Sequence, residues 1–187
     1  IPVVSTMMGI GVIPMDSKLY LGMIGMHGHE NANRAMSEAD LIVLCGARVG
    51  DRAVSAPKQV AEKATIVHID IDPAEIGKNM TAHIPIVGDI RLVLRDFSEK
   101  VKNTVSKEWI QTVLTSKDEY IPSGTPDNSS GCIEPRSFIR SLSAMMEENA
   151  ILTADVGQNQ IWSARNFNVK EARFLTSGGL GTMGYAL

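Results

Sequence analysis

The sequence predicts an α/β protein: a parallel-sheet central domain with helices on both faces, followed by the truncated start of a second α/β domain. Three observations lead there. Short β-branched runs recur along the chain, helical periodicities separate them, and a turn-rich stretch near 116–131 divides one such series from the next. Strands that alternate with helices pack as a parallel sheet, because a helical crossover is what returns the chain to the same end of the sheet.

The elements follow in order. Val3-Val-Ser-Thr6 is the first candidate strand. Leu41-Ile-Val-Leu-Cys45 is the strongest, apolar at every position, and Cys45 reads there as a small buried core residue. Ile66 to Ile71 gives a third strand and Ile84-Pro-Ile-Val87 a short fourth. Continuous apolar runs of this length suit strands covered on both faces, and Pro85 places the fourth at an edge. Between them, Asn31 to Ala39 carries Ala32, Ala35 and Met36 at helical spacing, and Pro57 to Lys63 is a second short helix. Asp89 opens the clearest helix as its N-cap, with Ile90, Val93, Leu94, Phe97 and Val101 along one face.

After about Val113 the composition changes. Ser116 to Gly131 holds Pro122, Gly124, Pro126, Asp127 and Asn128, all turn and linker chemistry. The expected organisation is therefore a central domain over 1–113, a linker over 114–133 and a second domain over 134–187. Pro135 marks a helix start, with Phe138, Leu142 and Met145 at helical spacing. Ala150 to Asp155 reads as a strand, Gln158 to Asn166 as a short helix and Arg173 to Thr176 as another strand. The chain opens on Ile1-Pro-Val-Val without an initiator Met and stops at Gly184-Tyr-Ala-Leu187. The expectation is an internal stretch cut at both ends.

Composition narrows the function classes. A net charge of −3 and a pI near 5.8 argue against a nucleic-acid or anionic-membrane surface. No stretch approaches the roughly 18 uninterrupted apolar residues of a membrane helix. Cys45 and Cys132 are far apart and form neither a disulfide framework nor a zinc pattern. That suits a reducing compartment, with a cytoplasmic location expected, or an organelle in a eukaryote.

Four clusters, the last of them a pair of loops, can carry chemistry. Gly46-Ala-Arg-Val-Gly-Asp-Arg52 directly follows the most apolar strand, and in open parallel sheets ligands bind beyond the carboxyl ends of strands. Arg48 and Arg52 can clamp a diphosphate; the alternative is a plain turn whose arginines face water. Asp70, with Asp72 and Pro73, ends the next strong strand near the offset at which an acid meets a ribose hydroxyl, or else merely starts a helical turn. Gly22-Met-Ile-Gly-Met-His-Gly28 has a glycine at every third position, which argues against regular structure and for a loop lying against a ligand or another backbone. There His27 is a cofactor contact or a structural residue. Ser177-Gly-Gly-Leu-Gly-Thr-Met-Gly184 and Val156-Gly-Gln-Asn-Gln160 follow neighbouring strands and expose backbone donors suited to phosphate, or form two tight turns. No G-x-S-x-G, H-E-x-x-H or paired nucleophilic Cys is present, and no residue is assigned as catalytic or as a metal ligand.

These strings together resemble one family. Pro2-Val-Val-Ser-Thr through Met8-Gly-Ile-Gly, Leu21 to Gly28, Ala39-Asp-Leu-Ile, Gly46-Ala-Arg, His68 to Lys78 and Gly88-Asp89 are similar to the central domain of acetolactate synthase catalytic subunits. Asp155-Val-Gly-Gln, Trp162 and Thr176 to Gly184 resemble the start of that family's diphosphate-binding domain. The resemblance implies decarboxylation of pyruvate on thiamine diphosphate and condensation of the two-carbon unit with a second 2-keto acid, in branched-chain amino-acid biosynthesis. It also implies an FAD with a structural role, contacted by Thr6, Met7, Met26, His27, Gly46, Ala47, Arg48, Arg52, Asp70, Ile71, Asp89 and Ile90. For thiamine diphosphate it implies Val156, Gly157, Gln158, Asn159, Gly181 and Met183. A homo-oligomer and a small regulatory subunit are further implied partners, with no nucleic acid and no membrane.

Two departures stand out. The family commonly reads Gly-Ala-Arg-Phe-Asp-Asp-Arg where this chain has Gly46-Ala-Arg-Val-Gly-Asp-Arg52, and usually has His where this chain has Asn159. The family's catalytic Glu and its Mg2+ ligands fall outside these residues, so the stretch is expected not to turn over alone. The sibling readings are a glyoxylate carboligase, a pyruvate oxidase or a non-catalytic nucleotide-binding module.

Overall fold

Every strand pair in the structure, a computed structural model that describes residues 1–102, 106–119, 131–170 and 173–187, is parallel. β1 (Val3–Ser5) pairs with β2 (Tyr20–Met23). β3 (Leu41–Cys45), β4 (Thr65–Asp70) and β5 (Ile84–Val87) form a three-stranded sheet in that order. β6 (Leu152–Ala154) pairs with β7 (Phe174–Thr176). The helices are α1 (Glu30–Glu38), α2 (Pro57–Lys63), α3 (Ile90–Lys100), α4 (Lys107–Glu119), α5 (Pro135–Met145) and α6 (Gln158–Asn166). The expected α/β alternation and parallel pairing are both present.

Local signals explain most boundaries. Pro57 and Pro135 open α2 and α5, where a missing N–H is no loss. The Asp89 carboxylate accepts from Leu92 N at 3.1 Å and caps α3, a bond worth about 1 kcal/mol. β5 lies at the sheet edge with Pro85 opposite His68, as its proline requires.

Three expectations need correction. Gly22 lies inside strand β2 rather than in a loop. Its φ of 105° is open to glycine, and a Cβ there would meet the His29 imidazole at 2.5 Å, so the missing side chain is what lets His29 pack against the strand. β3 is not covered on both faces: Ile42 and Leu44 pack inward, whereas Leu41 and Val43 are 55% and 39% exposed, and Cys45 is exposed instead of buried. α3 packs on β4, which is buried from Ile66 to Asp70. Finally, α4 continues through Val113 to Glu119, so the stretch read as linker begins inside a helix. Trp109 and Val113 anchor α4 on Leu21, Ala32 and Ala35, and Lys117 Nζ donates to Tyr20 O at 2.8 Å. Most of the remaining linker, 120–130, lies outside the described residues.

Two cores position the loops. One joins Leu44, Val49, Val54, Ala61, Ile66 and Met80 between the three-stranded sheet and α2. The other joins Ile10 and Met23 to Ala154, Ala164, Phe167, Val169 and Phe174, so the N-terminal segment packs on the second series of elements. Met15 N donates to Val169 O at 2.9 Å across the same contact.

Candidate functional site

The register aligns Cys45 with Ile69 and Asp70 with Val87, which brings the carboxyl ends of β3, β4 and β5 side by side. Gly46, Asp70, Asp89 and Ile90 therefore gather at one end of the sheet. Gly46 N donates to Ile69 O at 2.8 Å. Its φ is 60°, and a Cβ there would stand 2.6 Å from Ile90 Cδ1, so the backbone conformation and the packing both select glycine. Asp70 is buried, and its Oδ1 accepts from Asp72 N at 2.9 Å, turning the chain off the sheet and leaving Ile71 exposed. Asp89 is exposed and its carboxylate caps α3.

The loop from Gly46 to Arg52 is held by its backbone. Asn79 Nδ2 donates to Arg48 O at 2.7 Å, and Met26 N donates to Arg52 O at 3.0 Å. Val49 is buried in the core at a φ of 50°, a left-handed conformation that costs a β-branched residue about 1–3 kcal/mol. The core beneath the loop holds it there. Ala47 is half-buried, while Arg48 and Arg52 are exposed, so their guanidinium groups remain available to an anion.

A second turn docks on this loop. Gly25 has a φ of 107°, and a Cβ on it would collide with Arg52 O; a Cβ on Gly28 would collide with Met23 O. Gly25 N donates to Asn33 Oδ1 at 2.8 Å, and Asn33 Nδ2 donates back to Gly25 O at 2.9 Å. Met26, 74% exposed, and His27, also exposed, stand on this turn. Thr6 and Met7 are not in the strand-end group of Gly46. Thr6 follows β1 in an extended conformation and Met7 opens a 3₁₀ turn (Met7–Gly9), with Ile24 N donating to Ser5 O at 2.9 Å. The neighbouring Met8 lies against Gly178, where its Sδ fills the space of the missing side chain.

The other loop pair sits at the carboxyl ends of β6 and β7. Val156 is half-buried, and Gly157, at a φ of 145°, precedes α6 without a side-chain cap. The first-turn N–H groups at Gln158 and Asn159 thus form an exposed, partially positive helix end. Asn159 Nδ2 donates to Asp155 O at 3.0 Å. Across from it, Gly181 has a φ of 68°, nothing stands within 4 Å of the Cβ positions of Gly179, Gly181 and Gly184, and Met183 is 77% exposed. Ala186 N donates to Asp155 Oδ1 at 3.0 Å and draws the two loops together.

Sequence reasoning missed the residues that hold these loops: Asn33, Asn79 and His29. Met23 N donates to His29 Nδ1 at 3.1 Å. Burial, then the Arg165 charge, lowers the His29 pKa, with opposition from hydrogen bonds to the Arg165 and Met23 backbones. The one sequence signal for Asn33 is an amide amid the small residues of α1, a turn beyond the glycines.

Comparison with known proteins bears on both loop sets. The family model described as thiamine pyrophosphate enzyme, central domain, matches residues 1–97, and that for the C-terminal TPP binding domain matches 155–187. A probable acetolactate synthase large subunit of Methanocaldococcus jannaschii is 45% identical over 99% of this chain and 33% of its own length. The acetolactate synthase large subunit of Lactococcus lactis is 42% identical over 100% of this chain and 32% of its length. The isozyme 1 large subunit of Escherichia coli is 39% identical over 100% and 33%. The chain thus spans about a third of the length of the curated relatives it matches. With its first 97 residues matched by the central-domain model and its last strand ends by the TPP-binding model, the chain belongs to the thiamine pyrophosphate enzyme family.

Proposed function

We propose that this chain is the cofactor-holding middle of an acetolactate synthase catalytic subunit, which decarboxylates pyruvate and joins the two-carbon unit to a second 2-keto acid. The observation that carries this reading is the match, over 99–100% of the chain, to proteins named acetolactate synthase large subunit. Residues 1–113 and 134–187 are read as two units joined through 114–133, with α4 crossing the first boundary.

The loops fit the implied cofactors. The uncapped start of α6 at Gly157, with Val156, Gln158 and Asn159, suits a diphosphate, and the open Gly181 backbone and exposed Met183 suit the adjoining rings. Thiamine diphosphate, when bound, supplies the electron sink for decarboxylation of a 2-keto acid. The chain's own part is to bind and orient. Gly46, Ala47, Arg48, Arg52, Asp70, Ile71, Asp89 and Ile90 offer a nucleotide-sized platform at one sheet end, with Met26 and His27 on the docked turn; this platform is assigned to FAD in a structural role. Thr6 and Met7 would reach the flavin from the neighbouring strand pair. Mg2+ is assigned to ligands beyond this chain's residues, a self-associating catalytic subunit is proposed, and the words "large subunit" in the relatives' names support a smaller regulatory partner.

Full-length protein from the same reading frame, incubated with pyruvate, thiamine diphosphate, Mg2+ and FAD, is expected to form acetolactate, read as acetoin after acid treatment. Product that depends on thiamine diphosphate supports the assignment. Soluble, cofactor-loaded protein that forms none would move it to a sibling carboligase or oxidase, with glyoxylate the next substrate to try.

A further inference from the structure

The backbone pairing of β6 and β7 ends at Ala154 opposite Thr176, and beyond that pair the chain diverges into the two loops assigned to thiamine diphosphate. A side-chain relay closes the gap at that point. Gln160 Nε2 donates to Thr176 Oγ1 at 2.6 Å, and Thr176 Oγ1 donates to Ala154 O at 2.9 Å. The direction is fixed by chemistry: the single hydroxyl proton goes to the carbonyl, so the amide must present its NH₂ to the oxygen lone pair. Gln160, Thr176 and Ala154 are all buried, so water does not compete for these bonds.

The relay joins three elements that the loops depend on. Gln160 lies in the first turn of α6, directly after Gln158 and Asn159; Thr176 is the last residue of β7, directly before Ser177; Ala154 is the last residue of β6, directly before Asp155. A three-residue strand pair has few backbone bonds with which to hold the spacing of its ends. We propose that Gln160 and Thr176 are positioning residues that set the separation of the two thiamine-diphosphate loops. The proposal rests on the reading of those loops given above. Both side chains are buried, and both act through the backbones they tie together.

The test uses the full-length apoprotein with Mg2+, and thiamine diphosphate affinity measured by titration calorimetry at a temperature where circular dichroism shows each variant folded. Thr176→Val keeps the shape of the side chain and removes both hydrogen bonds; its Kd is expected to rise on the order of tenfold, a size consistent with losing a buried pair. Thr176→Ser restores the hydroxyl and is expected to return the Kd to within about twofold of wild type. Gln160→Met, which breaks one bond, gives a second reading should Thr176→Val not fold, and is expected to weaken binding likewise. A purely structural role would lower the melting temperature and leave Kd in place. Unchanged affinity in a folded Thr176→Val or Gln160→Met variant overturns the proposal, as does equal weakening by Ser and Val. Wild-type protein that fails to bind thiamine diphosphate overturns the loop reading itself, a result distinct from any variant effect.

Discussion

Asn33 closes a two-way hydrogen-bond clamp on the backbone of Gly25, accepting from its N–H at 2.8 Å and donating to its carbonyl at 2.9 Å. Through that clamp α1 fixes the Met26–His27 turn, and Met26 N in turn ties the turn to Arg52 O. Asn33→Asp keeps the acceptor and loses the donor. In the full-length protein it is expected to cost about 1–2 kcal/mol in urea unfolding and to weaken FAD binding several-fold. A folded Asp variant with wild-type flavin affinity would remove the turn from the flavin site.

Arg52 separates binding from folding within one residue. Its backbone carbonyl receives Met26 N, whereas its side chain is exposed. Arg52→Ala retains the first and deletes the second, so the melting temperature is expected to hold while FAD affinity falls roughly tenfold or more, as loss of a charge-assisted contact to a diphosphate would give. Flavin quenching titrations on the full-length protein decide it, and an unchanged Kd would assign the arginine to solvent.

Asp70 behaves differently because it is buried and its Oδ1 holds Asp72 N. Asp70→Ala removes that bond as well as any ligand contact, and a stability loss of about 1–3 kcal/mol is expected alongside weaker FAD binding. Asp70→Asn keeps an acceptor at the turn. It is expected to recover most of the stability while leaving flavin affinity reduced, which separates the turn from the site in chemical denaturation and flavin titration run side by side.

All the strands but β2, and α3, were legible because their signals are local. An all-apolar run such as Leu41–Cys45 reports a strand, Asp89 reports a cap, and Pro57 reports a helix start. What covers a strand is decided by other elements, so the exposed side of Leu41, Val43 and Cys45 had no local signature. Gly22 reads as a loop glycine until His29 is seen to occupy the space of its missing side chain. The continuation of α4 was hidden in the same way: Ser116 and Lys117 look like linker, yet Lys117 is held by carbonyls near Tyr20, far away in sequence. At the site, glycines with positive φ such as Gly46 and Gly181 announce themselves by residue type. Asn33, Gln160 and Thr176 do not, since an amide or hydroxyl acquires its role only from the partner the fold supplies.

His29 gives the molecule a pH dependence whose sign is fixed by its surroundings. Burial is the largest influence and the Arg165 guanidinium the next, both lowering its pKa; Lys117 adds a smaller push in the same direction, and hydrogen bonds to the Arg165 and Met23 backbones oppose them. Its Nδ1 accepts from Met23 N at 3.1 Å. The folded state therefore takes up this proton less readily than the unfolded chain, in which histidine titrates at roughly 6.5. The contribution to stability is complete above that value and is lost as the pH falls through the lower folded-state pKa. His29→Gln retains an acceptor for Met23 N and carries no titratable proton. Melting temperatures of the full-length protein at about pH 7.5 and about pH 5.5 are expected to differ more for wild type than for His29→Gln. Equal acid sensitivity in the two proteins would place the titration elsewhere and leave His29 as a packing residue behind Gly22.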